Sequence, residues 1–233
     1  MHVDIDVDLG RTFTPHCALL VYKDDLSGHL LAEHHPAFAV GAEFHVGEAH
    51  PLTGGDVREL LTGLGATALQ FVPEHAVAVS SVAVAWWSPA QPRPLFFHSH
   101  ADASVNALSG QVFPQPPLLW IARRGQLTVY ALAGNARPGA DTPLMCAPYF
   151  NVFPSHGVCQ GTTPYPDHVD AARVREWETA FFGSNFTHHA AGARRLTTFG
   201  GSHTELWQAA QAAGAFDPAW LVPAGCTLAE ALA

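Results

Sequence analysis

Cys159 is the residue whose type and surroundings best fit nucleophilic chemistry. It ends the run Tyr149-Phe-Asn-Val-Phe-Pro-Ser-His-Gly-Val-Cys159, inside a long stretch rich in Gly, Pro and Asn. Gly157 and Gly161 remove side-chain bulk on either side of the thiol. A thiolate that attacks a bulky partner must be reachable, and loops on a rigid sheet give that access. Most free cysteines are instead small buried hydrophobes, so the residues alone favour a structural cysteine at this position.

The other three cysteines are weaker candidates for a nucleophile. Cys146 lies in an apolar segment, Pro143–Pro148, which predicts burial, and Cys17 lies in the apolar run HCALLVY, which predicts a core strand. Cys226 lies near the end of the chain in a segment without a clear pattern. No CxxC pairing or dense spacing is present, so we expect free thiols in a cytoplasmic chain.

The pattern HxH at His98 and His100 is a second candidate, for metal chemistry. It resembles part of a JAMM zinc isopeptidase site, which also needs an upstream Glu and a downstream Asp. Here Ala101 follows the second histidine, and Gly110 and Gln111 stand at the spacing of the aspartate. Two histidines alone do not make a zinc site, so we favour a polar strand end and keep a zinc hydrolase as a remote third hypothesis.

Composition and charge exclude several classes of protein. Hydrophobic residues make up 48% of the chain and charged residues 13%, which is typical of a globular protein. The formal net charge is -9, and no run of Lys or Arg is longer than a pair. Phosphate backbones and anionic membranes attract clustered cations, so we expect neither nucleic acid nor membrane as a partner. The first thirteen residues carry no basic and no apolar region of the kind that makes a signal peptide.

The elements that would position these residues follow from periodicity and turn residues. Residues 2–8 alternate apolar and acidic side chains, which predicts a strand, as do His16–Tyr22 and a segment from about His29. Thr53-Gly-Gly-Asp56 and the following VRELLTGLG predict a capped helix that ends at a glycine. Further strands are predicted at Val77–Trp87 and Pro94–His98.

The second half contains the clearest hairpin and then helices. Leu118–Ala122 and Gln126–Leu132 flank Arg123-Arg124-Gly125, a typical hairpin turn. Gly134–Gln160 follows without periodicity, and a loop of that length in a compact domain is usually functional. The last third predicts a helix from Asp167 or Asp170 to about Phe182, a helix at Thr204–Ala213 with its cap near Ser202 and its end at Gly214, and a short final helix. Strands before helices indicate an α+β fold.

The segment around Cys159 resembles the active-site pattern of ubiquitin-conjugating (E2) enzymes. In that family a His-Pro-Asn tripeptide precedes the active-site Cys, with the Asn eight residues before it. Asn151 and Cys159 have this spacing, and Gly157-Val158 stand before the Cys as in the family. Tyr149 and Phe150 replace the His and Pro.

A closer resemblance extends from about Trp86 to Asn185. The chain is similar to PRTRC system protein B, a bacterial E2-like family also called prokaryotic E2 family D. The segments that carry this resemblance are Leu108-Ser-Gly110, Phe113-Pro-Gln-Pro116, Val129-Tyr-Ala-Leu132, Arg137-Pro138, Thr142-Pro-Leu144, Ala147-Pro-Tyr-Phe-Asn151 and Gly157-Val-Cys-Gln-Gly161. The resemblance implies three partners, namely an E1/ThiF-like adenylating protein, a small ubiquitin-like protein and a JAB-type protease.

The resemblance also implies roles for three residues. Cys159 would accept the C-terminus of the ubiquitin-like protein as a thioester, without a metal or organic cofactor. Asn151 would donate a hydrogen bond to the oxyanion, although Asn is also a common turn residue that bonds its own backbone. His156 would deprotonate the incoming amine or tune the thiol, and its alternative is a surface loop histidine.

The expected architecture is an E2-like antiparallel sheet flanked by helices, with the helices on one side. Residues 1–75 would form a strand and helix extension packed on the core, and residues 76–233 the core with its C-terminal helices. Two functions stay open, a conjugating enzyme and an inactive E2-fold adaptor that binds the ubiquitin-like or E1-like protein. The Asn-to-Cys spacing favours the enzyme. The absent His-Pro, and Tyr165 near where E2 enzymes carry a Trp, favour the adaptor.

Overall fold

The computed structural model describes residues 14–41, 43–64, 72–99, 103–187 and 196–233. The chain divides into two compact units, Met1–Gln70 and Phe71–Ala233. The predicted strand at residues 2–8 lies outside the described residues, and so does His100 of the HxH pattern. The packing of residues 1–75 on the core stays a prediction.

The first unit is a small antiparallel sheet with one helix. Its elements are β1 (Cys17–Lys23), β2 (Leu30–Val40), β3 (Glu43–Val46), β4 (His50–Pro51) and α1 (Gly54–Gly63). Helix α1 begins after Thr53, whose side chain accepts from the backbone N–H of Asp56 while the Asp56 carboxylate bonds the Thr53 backbone. This capping box confirms the helix start that the sequence predicts. Cys17 is only partly buried in β1, so the prediction of a core cysteine is wrong.

In its described residues, the second unit contains ten strands, three α-helices and three short 3₁₀ segments. The strands are β5 (Ala76–Val79), β6 (Ala83–Ser88), β7 (Pro92–Pro94), β8 (Phe96–Phe97), β9 (Val112–Pro114), β10 (Leu118–Arg123), β11 (Gln126–Ala131), β12 (Pro143–Cys146), β13 (Asn185–Phe186) and β14 (Pro223–Thr227). The helices are α2 (Val174–Phe182), α3 (His203–Ala213) and α4 (Leu228–Leu232), and the 3₁₀ segments are Ala103–Leu108, Ala171–Arg173 and Pro218–Trp220.

Six of these strands form the main sheet, in the order β14-β12-β11-β10-β6-β5, with every neighbouring pair antiparallel. The predicted hairpin is confirmed as β10 and β11, which pair in full register around Gly125 at φ 69°. The positive φ suits glycine, which has no Cβ to clash. Mixed helices and an antiparallel sheet confirm the expected α+β, E2-like fold class.

Both faces of the sheet are apolar, because side chains alternate along each strand. On one face Trp120 of β10 packs against Phe181 of α2, in a core that also includes Trp207 of α3. On the other face Leu119 of β10 belongs to a second core with Leu228 of α4. The expectation of helices on one side is therefore wrong for α4, which helps to bury the second apolar face.

Two predicted boundaries are also wrong. The run Val77–Trp87 is two strands, because Ser80 N–H bonds the Ala83 carbonyl and the Ser80 hydroxyl accepts from Ala83 N–H, which closes a turn. The stretch Gly134–Gln160 contains β12, which pairs with β11 and with β14 from the tail. Strands β12 and β14 show no periodic pattern in the sequence. They pair with each other, and each partner is distant along the chain.

Candidate functional site

A tight hairpin places Cys159 opposite Asn151. The Cys159 backbone N–H donates to the Asn151 carbonyl at 2.7 Å, and Phe153 N–H donates to the Gly157 carbonyl at 2.8 Å. Val152 and Val158 form the bridge pair between these two bonds. The eight-residue spacing seen in the sequence is thus the span of one closed hairpin with the candidate nucleophile at its exit.

The turn of this hairpin depends on His156. Its backbone N–H donates to the Phe153 carbonyl at 2.8 Å, and its own φ is 67°. Three-residue hairpin loops place a left-handed residue at this position, usually glycine. Among the described residues His156 is the one non-glycine with positive φ. A side chain held in this region carries backbone strain that surrounding contacts must offset.

The His156 side chain is buried. It is 8% exposed, and its ring lies against that of Tyr130, with the centroids 4.3 Å apart and the planes inclined by 33°. The interpretation of His156 as a surface loop histidine is therefore wrong. Its role as a base remains a prediction.

The hairpin is fixed to the edge of β11. Val129 N–H donates to the His156 carbonyl at 3.0 Å, and Val158 N–H donates to the Leu127 carbonyl at 2.8 Å. Strand β12 pairs with β11 only at Tyr130 and Ala131. The hairpin is bonded to the same edge of β11 at Leu127 and Val129, where β12 makes no pairing. The candidate nucleophile is carried by a segment that is hydrogen-bonded to the main sheet.

Cys159 itself is partly exposed and lies close to Tyr165. The Tyr165 ring packs on Trp177 of α2, with centroids 5.0 Å apart, and Trp177 is fully buried as the sequence predicts. Burial raises the pKa of the Tyr165 phenol far above its ordinary value, and the nearby Cys159 thiol raises it further. Tyr165 therefore stays protonated near neutral pH, as a neutral phenol beside the thiol.

The side chain of Asn151 is buried and bonds backbone groups of another segment. Its Nδ2 donates to the Asn185 carbonyl at 2.9 Å, and its Oδ1 accepts from Thr187 N–H at 3.2 Å. This differs from the local turn bonding that Asn often makes, because the partners lie more than thirty residues away in sequence. The amide joins the hairpin to β13. Its role as an oxyanion donor remains a prediction.

A groove of about 320 Å³ lies between the loop after Cys159 and the end of α2. Four hydroxyl side chains contribute to its lining, from Thr162, Thr163, Thr179 and Ser184. Asn185, which receives the bond from Asn151, also lines it. The Thr179 and Ser184 hydroxyls donate to the Arg175 and Phe181 carbonyls, so each has only its acceptor capacity left for a bound chain.

The other thiols are less accessible or lie elsewhere. Cys146 is fully buried, as its apolar segment predicts, and its Sγ lies 3.8 Å from the Pro223 carbonyl. Cys226 is partly buried and lies close to the Tyr130 phenol. His98 follows β8, where its N–H donates to the Phe186 carbonyl at 3.0 Å. Within the described ranges no group of three or more side chains could hold a metal ion.

Sequence reasoning missed two parts of this site. Tyr130 follows the hairpin turn at Gly125 in an ordinary strand pattern, and nothing in that pattern pairs it with His156. The sequence around Asn185 and Thr187 likewise does not indicate that their backbone groups hydrogen-bond the Asn151 side chain. The resemblance to the E2-like family ends at about Asn185, and this is the only feature of the sequence that links that segment to the site.

The fold and the hairpin site can now be set against known proteins. The model of prokaryotic E2 family D matches residues 57–224. Because this match covers well over half of the chain, the protein belongs to prokaryotic E2 family D. A search of curated proteins and a search of solved structures found no match. No helix in the described part of the chain is long and apolar enough to cross a membrane.

Proposed function

We propose that this protein is an E2-type carrier that accepts a ubiquitin-like protein on Cys159 as a thioester and passes it on. The observation that carries the proposal is the partly exposed thiol at the exit of the 151–159 hairpin. A carrier thiol must meet two large proteins in turn, so accessibility on a rigid support is its first requirement. Cys146, the rival thiol, is fully buried and lacks that access.

The chemistry is two acyl transfers. In the first, the Cys159 thiolate attacks the carbonyl carbon of the thioester on an E1/ThiF-like protein, and the E1 thiolate leaves. In the second, an amine attacks the new thioester, an amide bond forms, the amine proton goes to water and the Cys159 thiolate leaves. The groove that begins at Thr162, three residues after Cys159, is where we place the extended C-terminus of the ubiquitin-like protein. ATP is consumed only by the E1-like partner, and a JAB-type protease would reverse the modification.

The test combines this protein with the E1-like and ubiquitin-like proteins of its system and ATP, followed by a non-reducing gel. Wild type should give a new band that a thiol reductant removes. Cys159→Ala should give none, and Cys159→Ser should give a band that resists reductant, because an oxyester replaces the thioester. Cys17→Ala is the matched control, since it removes another partly buried thiol, in β1 of the first unit, and it should charge like wild type.

An uncharged wild type in the presence of a charged E1-like protein would contradict the proposal. So would a reductant-sensitive band that survives in Cys159→Ala. Either result must be accompanied by proof that each variant is folded, for which the unfolding midpoint in urea is sufficient.

A second function, that of an adaptor without thioester chemistry, is favoured by the bonding of Asn151. Its amide is engaged with the backbone of residues 185 and 187 and is not free to follow a reacting carbonyl. If the protein is an adaptor, the Cys159→Ala variant should bind the ubiquitin-like protein or the E1-like protein with the same affinity as wild type. Calorimetric titration of both partners into wild type and Cys159→Ala, beside the gel, separates the two functions.

A further inference from the structure

The 151–159 hairpin is shaped by a residue that is unsuited to its backbone. His156 has φ 67°, where a side chain collides with its own backbone and glycine is preferred. The same residue makes one of the hydrogen bonds that close the turn and one that fixes it to β11, since its N–H donates to the Phe153 carbonyl and its carbonyl accepts from Val129 N–H. Something must therefore compensate for the left-handed conformation of a histidine at this point.

The compensation comes from the ring. The His156 imidazole is buried on the Tyr130 ring at 4.3 Å, and Tyr130 is itself 7% exposed. Cys226 of β14 lies close to the Tyr130 phenol, and both side chains belong to the core on that face of the sheet, so the tyrosine is fixed by packing. Stacked aromatic pairs of this kind stabilise beyond the area that they bury.

We propose that His156 is a positioning residue, whose ring, clamped on Tyr130, holds the hairpin in the one conformation that presents Cys159 opposite Asn151. The role depends on the proposed function, because it matters for the rate at which Cys159 is charged. Cys159 is three residues beyond His156, and its backbone N–H closes the hairpin on the Asn151 carbonyl. A turn that opens at His156 releases that bond and displaces the thiol.

Proton transfer by His156 fits the contacts less well. Its ring partner Tyr130 belongs to the core on one face of the sheet. The phenol beside the thiol is that of Tyr165, which packs with Trp177 against the core on the opposite face. The ring and the thiol thus have neighbours on different faces of the sheet.

The first test measures amide hydrogen exchange and needs no partner protein. His156→Gly keeps the left-handed backbone and removes the ring together with its contact to Tyr130, so it tests whether the side chain holds the turn. We expect the Cys159 and His156 amides to exchange roughly tenfold faster in this variant, while amides of the β10–β11 pairing keep their protection. His156→Asn, a residue that also tolerates positive φ, is the second variant and should give the same result.

The second test measures charging kinetics with the E1-like protein and the ubiquitin-like protein. His156→Gly should lower the maximal rate by about 10- to 100-fold and leave the KM for the charged E1-like protein unchanged, because a small displacement of a reacting group costs that much. His156→Phe retains a stacking ring and has no titrating nitrogen. It should stay within about fivefold of wild type, with an unchanged pH profile.

His45→Asn is the matched control, because His45 also lies against an aromatic ring, that of Phe38, at 6.2 Å. The proposal is overturned if His156→Gly retains wild-type exchange at Cys159, or if His156→Phe is as slow as His156→Gly. If wild type itself is never charged, the proposed function fails, and the exchange experiment still decides whether the ring holds the hairpin.

Discussion

The amide of Asn151 links two segments that carry the candidate site. Both of its hydrogen bonds go to backbone groups of residues 185 and 187, and the side chain is 7% exposed. A buried amide with two satisfied polar groups is costly to remove, because its partners stay buried and lose their bonds. The residue is therefore expected to contribute to stability whatever its part in acyl transfer.

Asn151→Ala should lower the free energy of unfolding by roughly 1–3 kcal/mol, since Thr187 N–H and the Asn185 carbonyl each lose a partner. Urea unfolding followed by tryptophan fluorescence measures the change. Asn135→Ala is the control, because exposed Asn135 makes a single bond, from Ala90 N–H, and should cost less. Equal losses for the two variants would mean that the buried bonds add nothing.

The Tyr130 phenol links stability to alkaline pH. Burial, and then the Cys226 thiol, raise its pKa from 10.0 to about 12. The folded protein therefore holds this proton at pH values where the unfolded chain releases it. The contribution is fully present below pH 10 and is lost as pH rises from 10 to about 12.

Tyr130→Phe should accordingly weaken the loss of stability between pH 9 and pH 11.5. Tyr149 and Tyr165 also have raised pKa values through burial, so the variant will retain part of the dependence. Urea midpoints of wild type and variant across this range give the comparison. Two parallel curves would show that the phenol titrates alike in the folded and unfolded chains.

At the scale of elements, helix α2 is held to the sheet by a buried carboxylate. Glu178 accepts from Trp86 Nε1 at 2.9 Å and from Arg93 Nη2 at 2.8 Å. The Arg93 guanidinium also lies over the Phe182 ring, 5.4 Å from its centroid. Since α2 supplies Trp177 beneath Tyr165 and one wall of the groove, this network supports the surroundings of Cys159.

Glu178→Ala should destabilise the protein by about 3 kcal/mol, because it leaves a largely buried guanidinium and an indole N–H without their acceptor. Glu178→Gln keeps an oxygen for Trp86 and should cost less. Glu176→Ala is the control on the same helix, where the pair with Arg173 is exposed and its loss should not be measurable. Thermal unfolding ranks the three variants, and a loss for Glu176→Ala as large as for Glu178→Ala would contradict the argument.

At the scale of the whole molecule, the buried core belongs to the second unit. Every fully buried apolar side chain in the described chain lies at Ala76 or beyond. Residues 14–41 and 43–64 contain no buried residue, and their sheet exposes Val21, Leu30 and Val40 by more than half. Burial of apolar area is the main favourable contribution to folding, so the two units differ greatly in their own stability.

A fragment of residues 71–233 is expected to fold by itself with a cooperative urea transition, because it keeps both cores of the sheet. Residues 1–70 alone should give no cooperative transition. Circular dichroism and fluorescence of the two fragments measure this. A cooperative transition in residues 1–70, or its absence in residues 71–233, would contradict the assignment of the core.

The sequence by itself determined the features that depend on neighbouring residues. The Thr53 and Ser202 capping boxes, the Gly125 turn, the end of α3 at Gly214 and the Asn151-to-Cys159 span all arise from contacts within a few positions. Such contacts act through hydrogen bonds and backbone preferences that a short segment already contains. The resemblance carried by several short segments was sufficient for the family.

The tertiary structure alone decided which groups meet across the fold. The pairing of β12 with β14, the stack of His156 on Tyr130 and the bonds from Asn151 to residues 185 and 187 join positions from 26 to about 80 residues apart. The physical reason is that burial and long-range pairing depend on the path of the whole chain, which no local pattern contains.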